Sequence, residues 1–138
     1  METVFTEKFN DLNVEIFNDY TYTFNSSVNV HKYMFEYSFY DTFITSKHGI
    51  VVKNNDIIIY SAILLGNGGP TGIHEKAFLI DNNSIIICCG NALFSLTLPE
   101  LKLNWKKEID DASAFGIYKM NSDYIIHGEL EISRIDKY

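Results

Sequence analysis

Proline, cysteine and tryptophan are scarce in this chain of 138 residues, which has two prolines, two cysteines and one tryptophan. Cys88 and Cys89 are adjacent, and neighbours on a strand point to opposite faces, so we expect two buried thiols in a reducing compartment rather than a disulfide. No apolar run approaches the roughly 20 residues that span a bilayer. The first residues are acidic and lack a basic segment before an apolar stretch, so we expect no secretory signal and a cytoplasmic location.

Basic residues are also few, since 11 Lys and Arg face 18 Asp and Glu and the formal net charge is −7. Phosphate backbones and anionic lipids are bound by clusters of Lys and Arg, so this charge disfavours nucleic acid and membrane surfaces as partners. Basic proteins, cations and neutral ligands remain open. The alternative interpretation is that the negative charge serves only to keep the protein soluble.

Helical periodicity is almost absent, and alternation of apolar with polar residues replaces it. Twelve of the twenty aromatic residues fall within the first 43 positions. Period-two alternation predicts half-buried strands there, at 12–16, 20–24, 28–30 and 35–39. From Gly49 onward, compact apolar runs flank pairs that favour tight turns, at Asn54-Asn55, Asn82-Asn83 and Asn121-Ser122. We therefore predict one β domain over 1–138, with aromatic-rich strands in 1–48 and hairpins in 49–138.

The last two hairpins repeat. Asn83 and Asn121 are 38 positions apart, and the same offset relates Gly90 to Gly128. A further strand at 104–108 follows the first of these two units. The unit is thus a meander of about four strands over roughly 40 residues, which is the spacing of a propeller blade.

Segment 77–108 resembles one blade of the quinoprotein-type β-propeller repeat, with turns at Asn82-Asn83 and Gly90-Asn91 and a final strand containing Trp105. Segment 115–138 resembles a second, partial blade whose tryptophan would fall near 143. A ring needs at least four blades. The fold we expect is therefore all-β: antiparallel, blade-like sheets that are open or sandwich-like and form no closed propeller. A quinone needs the full ring, so we expect no cofactor.

Two segments, 66–75 and 126–134, also resemble those of a group of small uncharacterised bacterial proteins. Segment 66–75 contains four of the eight glycines, and glycine lets a backbone approach a ligand closely. It is not a phosphate-binding loop, because no Gly-Lys-Ser/Thr follows it. The alternative interpretation is a long structural connection. The candidate ligand-binding residues are Gly68, Gly69, Thr71, Gly72, His74 and Glu75, with His127 facing them.

No catalytic or metal-binding motif emerges from the remaining residues. His74-Glu75 and His127-Gly128-Glu129 contain metal-ligating side chains, but their spacing matches no short motif, so we expect no bound metal. Glu129 and Glu131 form a conceivable acid–base pair. They are expected to be solvated, because glutamate is rarely buried.

The favoured hypothesis is a non-enzymatic protein-binding module of the bacterial cytosol. Small acidic proteins of this kind resemble immunity proteins, which implies a basic toxin domain as the partner. The candidate partner-binding residues are Glu108, Asp110, Asp111, Glu129, Glu131 and Arg134, with a surface ion pair between the last two. Two alternatives stay open. One is a ligand-binding protein or enzyme that uses segment 66–75 with His74 and His127. The other is a homo-oligomeric structural subunit, possible as a homodimer that pairs through a sheet edge.

Overall fold

The computed structural model describes residues 4–23, 27–40, 42–109, 113–130 and 132–136. Within these ranges the chain forms twelve β-strands and no helix, so the predicted all-β class is confirmed. It follows that no described segment is a helix that could cross a membrane. The strands form three separate sheets, and in the described part of the chain none of them closes into a ring.

The N-terminal sheet has the order β1-β2-β4-β5-β3. Its strands are β1 (Val4–Phe9), β2 (Leu12–Asn18), β3 (Phe35–Ser38), β4 (Ser46–Asn54) and β5 (Ile57–Gly66). The middle sheet contains β6 (Phe78–Asp81), β7 (Ser84–Cys89), β8 (Ala92–Thr97) and β9 (Leu103–Glu108) in sequence order. The C-terminal sheet contains β10 (Ala114–Met120), β11 (Asp123–Gly128) and β12 (Ile132–Asp136). All described pairings are antiparallel except that of β3 with β5. Position 49, where the sequence texture changes, lies inside β4.

Two-residue turns join five of the hairpins, and the first residue of each of these turns has a positive φ that suits asparagine or glycine. These first residues are Asn10, Asn55, Asn82, Gly90 and Asn121. The turns predicted at Asn82-Asn83 and Asn121-Ser122 are therefore present. The turn between β4 and β5 lies at Asn55-Asp56, one residue later than the sequence predicted.

The middle sheet lies between the other two sheets and is buried on both faces. One face packs against the N-terminal sheet through residues such as Ile87 and Phe94. The other packs against the C-terminal sheet through residues such as Ile86 and Leu93. Cys88 and Cys89 belong to different clusters, on opposite faces, and both are buried free thiols, as alternation predicts. Burial raises the pKa of Cys88 to about 12, which makes this thiol inert.

The structure corrects the repeat offset from 38 to 39 residues. Four register pairs between β6 and β7, and five between β7 and β8, recur between β10, β11 and β12 when 39 is added to both members. The turns show the same offset: Asn82 and Asn121 each have a positive φ, each is the first residue of its turn, and they are 39 positions apart. A shift of one residue exchanges the two faces of a strand. With 39, Ile126 corresponds to Ile87 rather than to Cys88.

Two strands predicted in the N-terminal segment are absent. Residues 20–23 and 27–30 form turns and irregular chain, and residues 24–26 lie outside the described ranges. Tyr22 and Tyr33 instead pack over Ile63 and Leu65, on the face of the N-terminal sheet that points away from the middle sheet. Asp19 anchors this segment, since its carboxylate accepts hydrogen bonds from the hydroxyls of Thr21 and Tyr33. Tyr22 therefore covers a sheet and does not extend it.

Candidate functional site

The glycine-rich segment 66–75 connects β5 of the N-terminal sheet with β6 of the middle sheet, and side-chain hydrogen bonds hold its central part at Thr71 and Ile73. The Thr71 backbone N–H donates to Ser46 Oγ at 2.8 Å, and the Ile73 N–H donates to Asn18 Oδ1 at 3.0 Å. The Thr71 hydroxyl accepts from the Gly90 N–H at 2.8 Å. The polar groups of Thr71 are thus engaged in joining the two sheets.

The glycines of this region have different roles. A Cβ at Gly66 would lie 2.5 Å from the Cys89 carbonyl oxygen, so that glycine permits close approach of two backbones. Gly68 has φ 77°, which favours glycine. Gly72 is exposed, and a Cβ there would meet only the Asn18 amide, at 3.9 Å. Gly69 is half-buried.

His48 is a buried titratable residue beneath this segment that sequence reasoning did not select. Its side chain is 1 % exposed, and its Nε2 lies 3.3 Å from Thr71 Oγ1. The pKa of His48 is lowered to about 4, chiefly by burial; a backbone hydrogen bond with Lys47 opposes this shift, and the nearby His74 adds to it. The signal was the alternation along β4, which places position 48 on the same face as Ile50 and Val52 of the core.

We expect His48 to make stability depend on pH. Its pKa is about 4 in the folded chain and 6.5 ordinarily, so between these values the unfolded chain binds more protons. The free energy of unfolding should therefore fall as the pH drops from about 7 to about 4, by about 3 kcal/mol from this residue. Urea unfolding of wild-type and His48→Gln chains at both pH values measures the difference. An equal fall in both proteins would show that other groups cause it.

His74 and His127 both contact Phe115, but no direct contact between the two imidazoles is observed among the described residues. His74 Nε2 lies 2.7 Å from the Phe115 carbonyl oxygen, and the His127 ring meets the Phe115 ring edge to face, with centroids 6.2 Å apart. Phe115 occupies a bulge in β10 between Ala114 and Gly116. The two predicted histidines thus lie on either side of Phe115, at the margin of the C-terminal sheet, and not above the glycines.

The C-terminal sheet has one face toward the middle sheet, and we call the opposite one its outer face. Alternation and cross-strand register place the following residues on the outer face: Tyr118, Met120, Asp123, Ile125, His127, Ile132 and Arg134. Ile132 is 73 % exposed, Met120 52 % and Tyr118 42 %. Phe115 adds an exposed ring at its margin. The outer face is therefore an apolar and aromatic surface open to solvent.

The charged side chains described on the outer face, Arg134 and Asp123, pair with each other. The Arg134 guanidinium forms an ion pair with Asp123 on the neighbouring strand, and the Lys76 ammonium lies 5.7 Å from the centre of the Tyr118 ring. The sequence suggested a pair between Arg134 and Glu131, but Glu131 lies outside the described residues. The centre of the outer face thus carries little net charge.

The predicted acidic contact residues are only partly described. Glu108 ends β9 and is exposed, and its hydrogen bond with the Tyr40 hydroxyl raises the pKa of that tyrosine. Glu129 is exposed, and its backbone N–H donates to the Ser113 carbonyl at 2.8 Å. Asp110 and Asp111 lie outside the described residues. Glu129 therefore flanks the turn that leads into β12, next to the outer face.

A ligand site receives less support from the described residues. Glu75 borders an open depression of about 280 Å³, which is small for a ligand pocket, and neither His74 nor His127 lines it. Among the described residues, no three His, Cys, Asp or Glu side chains converge as metal ligands. No family model, curated protein or solved structure matches the chain. Function is therefore inferred from the geometry of the chain itself.

Proposed function

We propose that this chain is a non-enzymatic protein-binding module whose binding surface is the outer face of the C-terminal sheet. One observation supports the proposal above all: the outer face corresponds, residue by residue, to a face of the middle sheet that is covered. With the offset of 39, Tyr118 corresponds to Leu79, Ile125 to Ile86 and Ile132 to Leu93. In the middle sheet these positions pack against a neighbouring sheet.

The composition of the outer face suits a protein interface. Interface centres are enriched in aromatic residues, methionine and arginine and depleted in charge, and this face presents Tyr118, Met120, Arg134 and the adjacent Phe115. Exposed apolar residues that adjoin one another mark interaction sites more often than isolated ones do. Binding of a partner would cover the outer face, whose residues correspond to covered residues of the middle sheet.

The charge of the chain favours a basic partner. The net charge is −7, and on the outer face Arg134 and Asp123 neutralise each other, so the negative field comes from other acidic side chains, including Glu129 beside this face. Such a field accelerates the approach of a basic protein, and the apolar face then provides the contact. The specific form we propose is an immunity-type inhibitor that neutralises a basic toxin in the bacterial cytosol, with Glu108 and Glu129 among the steering groups.

Capture from the source cells tests the proposal. The tagged full chain, with Ile132→Ser and Ile57→Ser variants, is used as bait at low and high salt. Both isoleucines are exposed, 73 % and 67 %, but Ile57 lies at the start of β5, in the N-terminal sheet. We expect a basic protein that is recovered best at low salt, and about tenfold weaker binding by Ile132→Ser, because truncating a buried interface anchor costs more than about 1.4 kcal/mol.

Two results would contradict the proposal. If Ile132→Ser recovers the partner as well as Ile57→Ser does, the outer face is not the binding surface. If the partner is acidic, or if salt has no effect on its recovery, the charge argument fails. A partner encoded directly upstream that is toxic without this chain would support the immunity-type form.

A further inference from the structure

The strand β12 forms an edge of the C-terminal sheet, and no other described strand pairs with its outer side. Its equivalent in the middle sheet, β8, is paired there with β9. The nine residue pairs that recur with an offset of 39 give the middle and C-terminal sheets the same register. The strand β12 therefore presents the same row of backbone groups that β8 presents to β9. An unpaired row of this kind is a template for another strand.

The pairing of β8 with β9 specifies the strand that would fit. Trp105 lies opposite Ser95, and the residue equivalent to Ser95 is Arg134. Trp105 packs into the cluster between the middle and C-terminal sheets. The corresponding residue of an incoming strand would thus lie on the outer face, beside the Arg134 guanidinium, where an aromatic ring is favoured. Lys106 and Lys107 follow Trp105, and a basic segment complements an acidic chain.

We infer that a partner protein binds by adding an extended segment to β12, antiparallel, with an aromatic residue opposite Arg134 and basic residues beside it. The inference rests on the proposed function and names how the partner is held. Main-chain hydrogen bonds to β12 supply affinity, and contact of the aromatic side chain with Arg134 and Ile125 supplies selectivity. The added strand also extends the outer face, as β9 extends the equivalent face of the middle sheet.

Hydrogen exchange of the full chain with a synthetic peptide of residues 102–109 tests the inference. This peptide has the sequence of β9 and carries three lysines and one glutamate. We expect saturable slowing of amide exchange in 132–136, half-complete at or below about 1 mM peptide. A peptide with Lys107→Pro should give no slowing, because Lys107 lies opposite Leu93 in a hydrogen-bonded pair and proline there removes a backbone donor that faces the neighbouring strand. A peptide with Trp105→Ser should bind about tenfold more weakly, and the Arg134→Gln chain should not distinguish it from the parent peptide.

Several results would overturn the inference. Unchanged exchange in 132–136 would exclude strand addition. Slowing confined to 92–97 would show that the peptide only replaces β9. A free chain that is dimeric and already protected at 132–136 would show that a second copy occupies the edge. If the captured partner still depends on Ile132 in any of these cases, the proposed function stands and strand addition alone is wrong.

Discussion

Replacing Ile126 with alanine is expected to lower the free energy of unfolding by about 3 kcal/mol, because the truncation leaves a cavity in a close-packed interior. Ile126 is fully buried between the middle and C-terminal sheets. The same change at its neighbour Ile125 should cost about 1 kcal/mol or less, since that side chain is only half-buried on the outer face. Urea unfolding followed by tyrosine and tryptophan fluorescence measures both values.

Ile125→Ala is the matched control, because it removes the same atoms from the same strand one residue away. The two variants also separate stability from binding. Ile126→Ala should impair folding, and Ile125→Ala should weaken partner capture while leaving the fold intact. A larger loss of stability at Ile125 than at Ile126 would mean that the two faces are exchanged, as the offset of 38 residues requires.

Replacing Gly90 with alanine is expected to lower the free energy of unfolding by about 3 kcal/mol. Gly90 has φ 62°, a conformation that disfavours residues with a Cβ. A Cβ there would also lie 2.8 Å from the Asn67 backbone nitrogen and would overlap the Asn67 carbonyl oxygen. Backbone strain costs about 1–3 kcal/mol by itself, and the steric overlap with a second backbone adds to it. Thermal and urea unfolding measure the effect.

Gly72→Ala provides the control for the glycine effect. Gly72 belongs to the glycine-rich segment that packs on Gly90, its φ is not positive, and a Cβ there has space. We therefore expect a change of about 0.5 kcal/mol or less. Equal losses for Gly90→Ala and Gly72→Ala would refute the view that close packing of 66–75 against the middle sheet fixes how the two sheets lie.

Alternation and turn chemistry predicted most of the fold because they act locally. The pairs Asn82-Asn83 and Asn121-Ser122 terminate strands whatever lies around them, and neighbouring cysteines on a strand must point apart. Register was harder to predict. Asparagines occupy both positions of the Asn82-Asn83 turn, so the sequence alone could not show which of them corresponds to Asn121. This difference of one residue in the offset determines which side chains of β11 are predicted to be buried.

Features that depend on distant parts of the chain could not be predicted. The alternation around Tyr20 and Tyr22 is that of a strand, yet β5 supplies an apolar face that this segment covers instead. Alternation along β4 places His48 on the core face, but its contact with Thr71 depends on the path of segment 66–75, which the local sequence does not show. The exposure of the outer face could not be predicted for the same reason, because the exposure of Ile132 depends on how the sheets pack together. Segment 66–75 was recognised from composition, but its hydrogen bonds indicate a connection as much as a site.

The central claim is that the outer face of the C-terminal sheet binds a basic protein, and titration calorimetry with the purified partner measures it most directly. We expect Ile57→Ser to bind with the affinity of the wild-type chain. Ile132→Ser should bind about tenfold more weakly, and the affinity of the wild-type chain should fall as salt increases. Equal dissociation constants for the two variants would contradict the claim, however tightly the partner binds.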